Sequence, residues 1–176
     1  MAQKPAPPTG LISLRVLGAL HLDAADGHAI HSVLTQPKRV ALLVHLALAT
    51  AGGGFVRRDS LLALFWPETD DEHARKALRQ ALYYLRRSLG EGVIVGRGDD
   101  EVAVDLGRLR CDAVEFERAL DAGRTEEALA EYGGELLEGI FVADAPDFER
   151  WLSAERRRLR ERAGAAARAR AEASER

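Results

Sequence analysis

The sequence predicts an α+β domain followed by an all-α helical one, and three observations carry that expectation. Short extended pieces occupy residues 11–33. From Pro37 the apolar residues recur at helical spacing, until two valine-rich pieces, VIV (93–95) and VAV (102–104), flank GRGDDE. From Cys111 onward the pattern is helical throughout. Apolar residues that alternate belong to strands, and a period of 3.6 belongs to helices.

Taken in order, MAQKPAPPTG at 1–10 is a loose tail with no apolar core for secretion. In LISLRV, Ile12, Leu14 and Val16 alternate with Leu11, Ser13 and Arg15, and Asp26-Gly27 supplies a turn between further extended pieces up to residue 33. Pro37 suits a first helical position, and Val40, Leu43, Val44, Ala47 and Leu48 follow it on one stripe. Leu42 and Leu46 widen that stripe, which places the helix centrally, and AGGG at 51–54 ends it. RRDSLLALFW is a shorter helix stopped by Pro67. Thr69 and Glu72 read as a capping box opening a long helix that Gly90 closes. The VIV and VAV pieces then form a hairpin.

Two helices joined by a tight turn and followed by a hairpin describe a winged helix-turn-helix over 11–107. In the second unit, 111–176, Asp112 reads as an N-cap with Glu115 completing the box. Phe116, Ala119 and Leu120 share a stripe, Gly123 breaks the helix, and Thr125 caps the next, whose stripe is Ala128, Leu129 and Tyr132. A third helix begins near Asp147 and turns Phe148, Trp151, Leu152 and Leu159 inward. Its end, RAGAAARARAEASER, has little to bury and is expected to fray.

Composition narrows the function. At 47% hydrophobic and 30% charged residues the chain reads as soluble, cytoplasmic and globular, with no run approaching the roughly 18 residues that cross a bilayer. One cysteine, Cys111, rules out an internal disulfide framework. The charge divides unevenly: residues 1–110 carry 14 Lys/Arg against 12 Asp/Glu, whereas 111–176 carry 11 against 16. The histidines lack metal-ligand spacing, and Gly52-Gly53-Gly54 lacks the Lys-Ser/Thr of a phosphate loop. No nucleophile, base and orienting group come together, so no enzyme activity, metal or cofactor is expected. ERRRLRER at 155–162 alternates charge as a salt-bridged helix face does.

The distinctive stretch is HARKALRQALYYLRRSLG, residues 73–90, with five basic side chains and no acid in a chain of net charge −3. Rotated about 100° per residue, Ala74, Leu78, Ala81, Leu82, Leu85 and Leu89 gather on one side. Lys76, Gln80, Tyr83 and Arg87 gather opposite them, with His73 and Arg79 on the flanks and Tyr84 and Arg86 further round. Arg and Lys donate to guanine edges, Gln pairs with an adenine edge, and Tyr offers a hydroxyl to phosphate or a ring to a thymine methyl. Lys76 and Gln80, near the helix start, are placed for bases; Arg86 and Arg87 suit phosphate. Arg97 is the single base at a hairpin tip that also holds Asp99, Asp100 and Glu101. It either enters a minor groove or belongs to a purely structural hairpin. A solvated amphipathic helix, in a module that docks proteins instead of DNA, is the competing reading.

The chain also resembles a family. LRVLGALHL, RRDSLLALFWP, the 73–90 helix, CDAVEFERAL and LLEGIFVADAPDFERWLSAERRRLRER are similar to segments of the bacterial activators of the antibiotic-regulatory-protein type. Those proteins join an OmpR-like winged helix to a tetratricopeptide-like bacterial transcriptional activator domain. The likeness runs from about Leu11 to Ala163, and its most specific part is LFWP followed by A-L-x-x-x-L-Y-x-L-R-R-x-L-G. It implies sequence-specific binding to direct repeats in promoter DNA, often as a dimer, and recruitment of RNA polymerase. Residues 111–176 match the first part of that second domain, and no phosphorylated receiver domain is implied.

Overall fold

The structure, a computed structural model, describes residues 10–175; all of the tail expected at 1–10 except Gly10 lies outside them. The chain runs β1 (Ile12–Arg15), β2 (His21–Asp23), α1 (His31–Leu34), α2 (Pro37–Gly53), β3 (Val56–Arg57), α3 (Arg58–Phe65) and α4 (Asp71–Leu89). It continues with β4 (Ile94–Arg97), β5 (Glu101–Val104), β6 (Leu109–Cys111), α5 (Asp112–Asp121), α6 (Thr125–Glu131) and α7 (Pro146–Ser174). The strands make two three-stranded sheets, ordered β2-β1-β6 and β3-β5-β4.

Local signals govern most boundaries. Pro37 is the first residue of α2, whose Val40 to Val44 are all buried, as expected of a helix apolar on most sides. Helix α3 stops at Trp66, before Pro67, since proline cannot donate to the preceding turn. Strands β4 and β5 pair antiparallel with Ile94 opposite Val104 and Arg97 opposite Glu101.

Several expectations are corrected. Residues 31–34 form a helical turn, not a strand; Val33 is buried there, and the Thr35 N–H reaches the His31 carbonyl at 3.2 Å. Asp70, not Thr69, caps α4: its carboxylate accepts from the His73 N–H at 3.1 Å, while the Thr69 N–H bonds the Trp66 carbonyl at 3.3 Å. Asp112 is no cap either. It lies inside the first turn of α5 with its carboxylate aimed across the molecule, and Glu115 pairs instead with Arg118 at 3.2 Å. Arg124, not Thr125, occupies the cap position of α6, and no side chain satisfies that helix start. The tail of α7 stays helical through Ser174, with Ala163 and Ala166 buried. High alanine content favours this, because alanine loses no side-chain freedom in a helix.

Two strands escaped the sequence reading. β3 is a two-residue strand, Val56 and Arg57, lying against β5. β6 runs parallel to β1, with Ser13 beside Arg110 and Leu14 beside Cys111. A parallel partner so distant in the chain leaves no turn signature, so sequence spacing is silent about it.

β1 is also where the two halves lock together. The Asp112 carboxylate accepts from the N–H groups of Val16 at 2.9 Å and Leu17 at 3.1 Å. The Leu137 N–H bonds the Val16 carbonyl at 2.8 Å, and the Gly18 N–H bonds that of Glu135 at 3.0 Å. Gly18 has φ +89°, and a Cβ there would sit 2.9 Å from the Gly133 carbonyl oxygen, so two bare backbones cross where no side chain fits. Arg156 then ties down the Leu136 and Leu137 carbonyls from α7. Beneath α2, an aromatic cluster joins Phe65 of α3 to Phe148 of α7 at 4.8 Å between ring centroids, and His45 of α2 to Trp151 at 4.7 Å. One continuous core therefore supports both α4 and α7.

Candidate nucleic-acid interface

Helix α4 owes its orientation to leucine. Leu82 and Leu85 are fully buried, Leu78 and Leu89 nearly so, and Ala74 completes the stripe, with Ala81 half-buried at its edge. Each buried leucine contributes about 1.5–3 kcal/mol of hydrophobic stabilisation, which sets the helix roll. The opposite face is forced outward. His73, Lys76, Arg79, Gln80, Tyr83 and Arg87 are exposed, and Tyr83 is one of two large apolar side chains prominent at the described surface. From Lys76 to Arg87 that row extends about 16 Å at ~1.5 Å per residue. This is the length of about five base pairs.

Side-chain partners distinguish the candidates. Lys76, Arg79 and Arg87 enter no ion pair among the described residues, so their charge is open to a ligand. His73 is committed to the cap: its Nδ1 lies 2.9 and 2.7 Å from the two Asp70 carboxylate oxygens. Hydrogen bonds from the His73 backbone and ring hold the Asp70 carboxyl below its ordinary value. Arg86 is half-buried, its Nε donating to the Ile94 carbonyl at 3.4 Å, which fastens the end of α4 to β4. Arg87 and Tyr83 line a hollow of about 580 Å³ at that junction.

Arg97 reaches the hairpin tip, as its position predicts, but is already matched. Its Nε donates to Glu101 at 2.6 Å and its guanidinium lies 4.5 Å above the Phe55 ring. Glu101 holds the guanidinium above its ordinary value and is itself held low. Asp99 and Asp100 remain exposed beside it.

Two contributions were missed. Tyr84 is turned away from the exposed row and carries the Arg39 guanidinium 3.5 Å above its ring, a link from α4 to α2. Arg75 is exposed near the helix start, 3.8 Å from Asp59 of α3. The wheel at ~100° per residue places Arg75 close to the buried stripe, so periodicity alone could not nominate it. Elsewhere, burial pushes the Cys111 thiol up to about 12, and the described residues contain no metal-type cluster.

These elements define a mixed α/β protein with two small sheets, many helices and one helix, α4, on which Lys76, Arg79 and Arg87 enter no ion pair among the described residues. No protein-family model and no curated protein matches the chain. Among solved structures, the Mycobacterium tuberculosis protein EmbR, determined in complex with a low-affinity phosphopeptide, shares the fold with a TM-score of 0.60. The match is 24% identical and covers 89% of this chain but 43% of that one. The chain thus corresponds to less than half of the solved relative.

Proposed function

We propose that this chain is a sequence-specific DNA-binding transcriptional regulator, with an OmpR-like winged helix over 11–107 and the first part of a tetratricopeptide-like activator domain over 111–176. The observation that carries this is the exposed row Lys76, Arg79, Gln80, Tyr83 and Arg87 opposite a buried leucine stripe on α4. Such a helix fits a major groove about 12 Å wide. Lys76 and Gln80 read base edges near the helix start, Tyr83 follows them, and Arg87 grips phosphate while Arg86 braces the wing. The wing keeps Arg97 matched to Glu101, so base reading rests on α4. The fold shared with EmbR and the sequence resemblance to the antibiotic-regulatory-protein activators both support this reading. The family resemblance extends the proposal to direct repeats in promoter DNA, a dimer on those repeats, contact with RNA polymerase and a place in the cytoplasm. No catalysis and no cofactor form part of the proposal.

The test is selection of bound sites from random duplex DNA, followed by affinity measured against salt. A repeated motif with steep salt dependence is expected. Lys76→Ala should cost about 1–3 kcal/mol and relax one base position. Arg87→Ala should weaken all sequences alike and reduce the salt slope by about one. Unchanged affinity in both variants would overturn the assignment of α4, and absence of any enriched motif would assign the face to a protein partner.

A further inference from the structure

A cavity of about 450 Å³ opens where α2, α5 and α7 meet, and no residue of α4 lines it. That size lies within the range of small-molecule sites. Its aromatic wall is Trp151 of α7, with the His45 imidazole set edge-on at 73° and 4.7 Å. The Nδ1 of His45 is buried without a hydrogen-bond partner among the described residues. Burial lowers this histidine to about 4, so at neutral pH the ring is uncharged, with one nitrogen donating and the other accepting. A buried ring nitrogen without a partner is an unusual expense for a fold to carry.

The rim is charged yet balanced. Arg158 is held by both Glu117 and Glu155, and Arg162 reaches Glu117 at 2.8 Å and Asp121 at 2.6 Å. A charged guest would have to break one of these pairs and leave an unmatched ion behind, whereas an uncharged guest leaves all of them in place. We propose that this cavity binds a small, flat aromatic molecule of no net charge, seated against Trp151 and His45. An aromatic guest gains edge-to-face or offset contact with both rings. Occupation would tie α2, in the DNA-reading half, to α5 and α7.

Gly52 provides the control. It lies on the cavity wall in α2, and a Cβ built there meets nothing within 4 Å, so Gly52→Phe should plug the space without disturbing the fold. Gly52→Leu is a smaller plug should the phenylalanine lower the unfolding midpoint. Isotope-labelled full chain would be titrated with indole and benzamide as neutral probes, and with benzoate and benzylamine as charged ones. The readout is the Trp151 indole N–H resonance, assigned through Trp151→Phe. Saturable shifts from a neutral probe, in the millimolar range or tighter, are expected in the wild type and at least about tenfold weaker in the plugged variants. The charged probes should bind more weakly than the neutral ones. No saturable shift from either neutral probe, or undiminished binding in both folded plugged variants, would overturn the site. Equal binding of the charged probes would overturn the assigned ligand class.

Discussion

Replacing Asp112 tests how the two halves are joined. Its side chain is fully buried, and its two oxygens each accept one backbone N–H, from Val16 at 2.9 Å and Leu17 at 3.1 Å. Both donors belong to buried residues at the end of β1, where water cannot replace a lost acceptor. Orphaning a buried donor costs about 1–3 kcal/mol. Asp112→Ala orphans both, so its cost should be about 2–6 kcal/mol by the same measure. Asp112→Asn keeps one oxygen but turns an NH₂ toward the second donor, so about 1–3 kcal/mol is expected. At 2–4 °C per kcal/mol for a chain of this size, the asparagine variant should melt roughly 2–12 °C lower. Urea unfolding followed by circular dichroism gives the free energies directly. Glu115→Ala is the internal control. Were Asp112 and Glu115 a helix-capping pair, both substitutions would hurt; with Glu115 paired to Arg118 near the surface, its loss should cost under about 0.5 kcal/mol. An asparagine variant as stable as the wild type would refute the reasoning, because it would mean that these amides are satisfied without the carboxylate.

Three further outcomes follow from particular residues. Leu82→Ala should destabilise the protein by about 2–5 kcal/mol in denaturant unfolding, whereas Tyr83→Ala next to it, 62% exposed, should change stability by less than about 0.5 kcal/mol. His45, lowered from 6.5 to about 4 by burial, takes its proton in the unfolded chain first, so stability falls as pH drops through that window and is complete above it. At about 1.4 kcal/mol per pH unit the loss reaches about 3 kcal/mol, and His45→Phe should remove it when unfolding free energies of the two proteins are compared between pH 7 and 4. On the DNA-binding reading, Glu101→Ala releases Arg97 and removes one acid from the hairpin tip, so affinity for duplex DNA should rise and the salt slope steepen by about one.

What the sequence by itself determined was periodic and local. The stripe from Leu78 to Leu89 and the facing row from Lys76 to Arg87 emerged from a period of 3.6, and the structure buries the first and exposes the second. Pro37, Pro67, Gly54 and Gly90 mark helix limits because their backbone restrictions act within a few residues. Tertiary structure alone decided which charges stay free. Arg97 and Arg87 are equally basic on paper, yet Glu101 and Phe55 occupy the first, and the second faces solvent. It also decided that Asp112 reaches 96 residues back to Val16, that β6 lies beside β1, and that His45 meets Trp151. A cap, a turn and an amphipathic stripe are written in neighbouring residues. A buried carboxylate's partner, a parallel strand pairing and a cavity wall depend on which distant surfaces the packed core brings together.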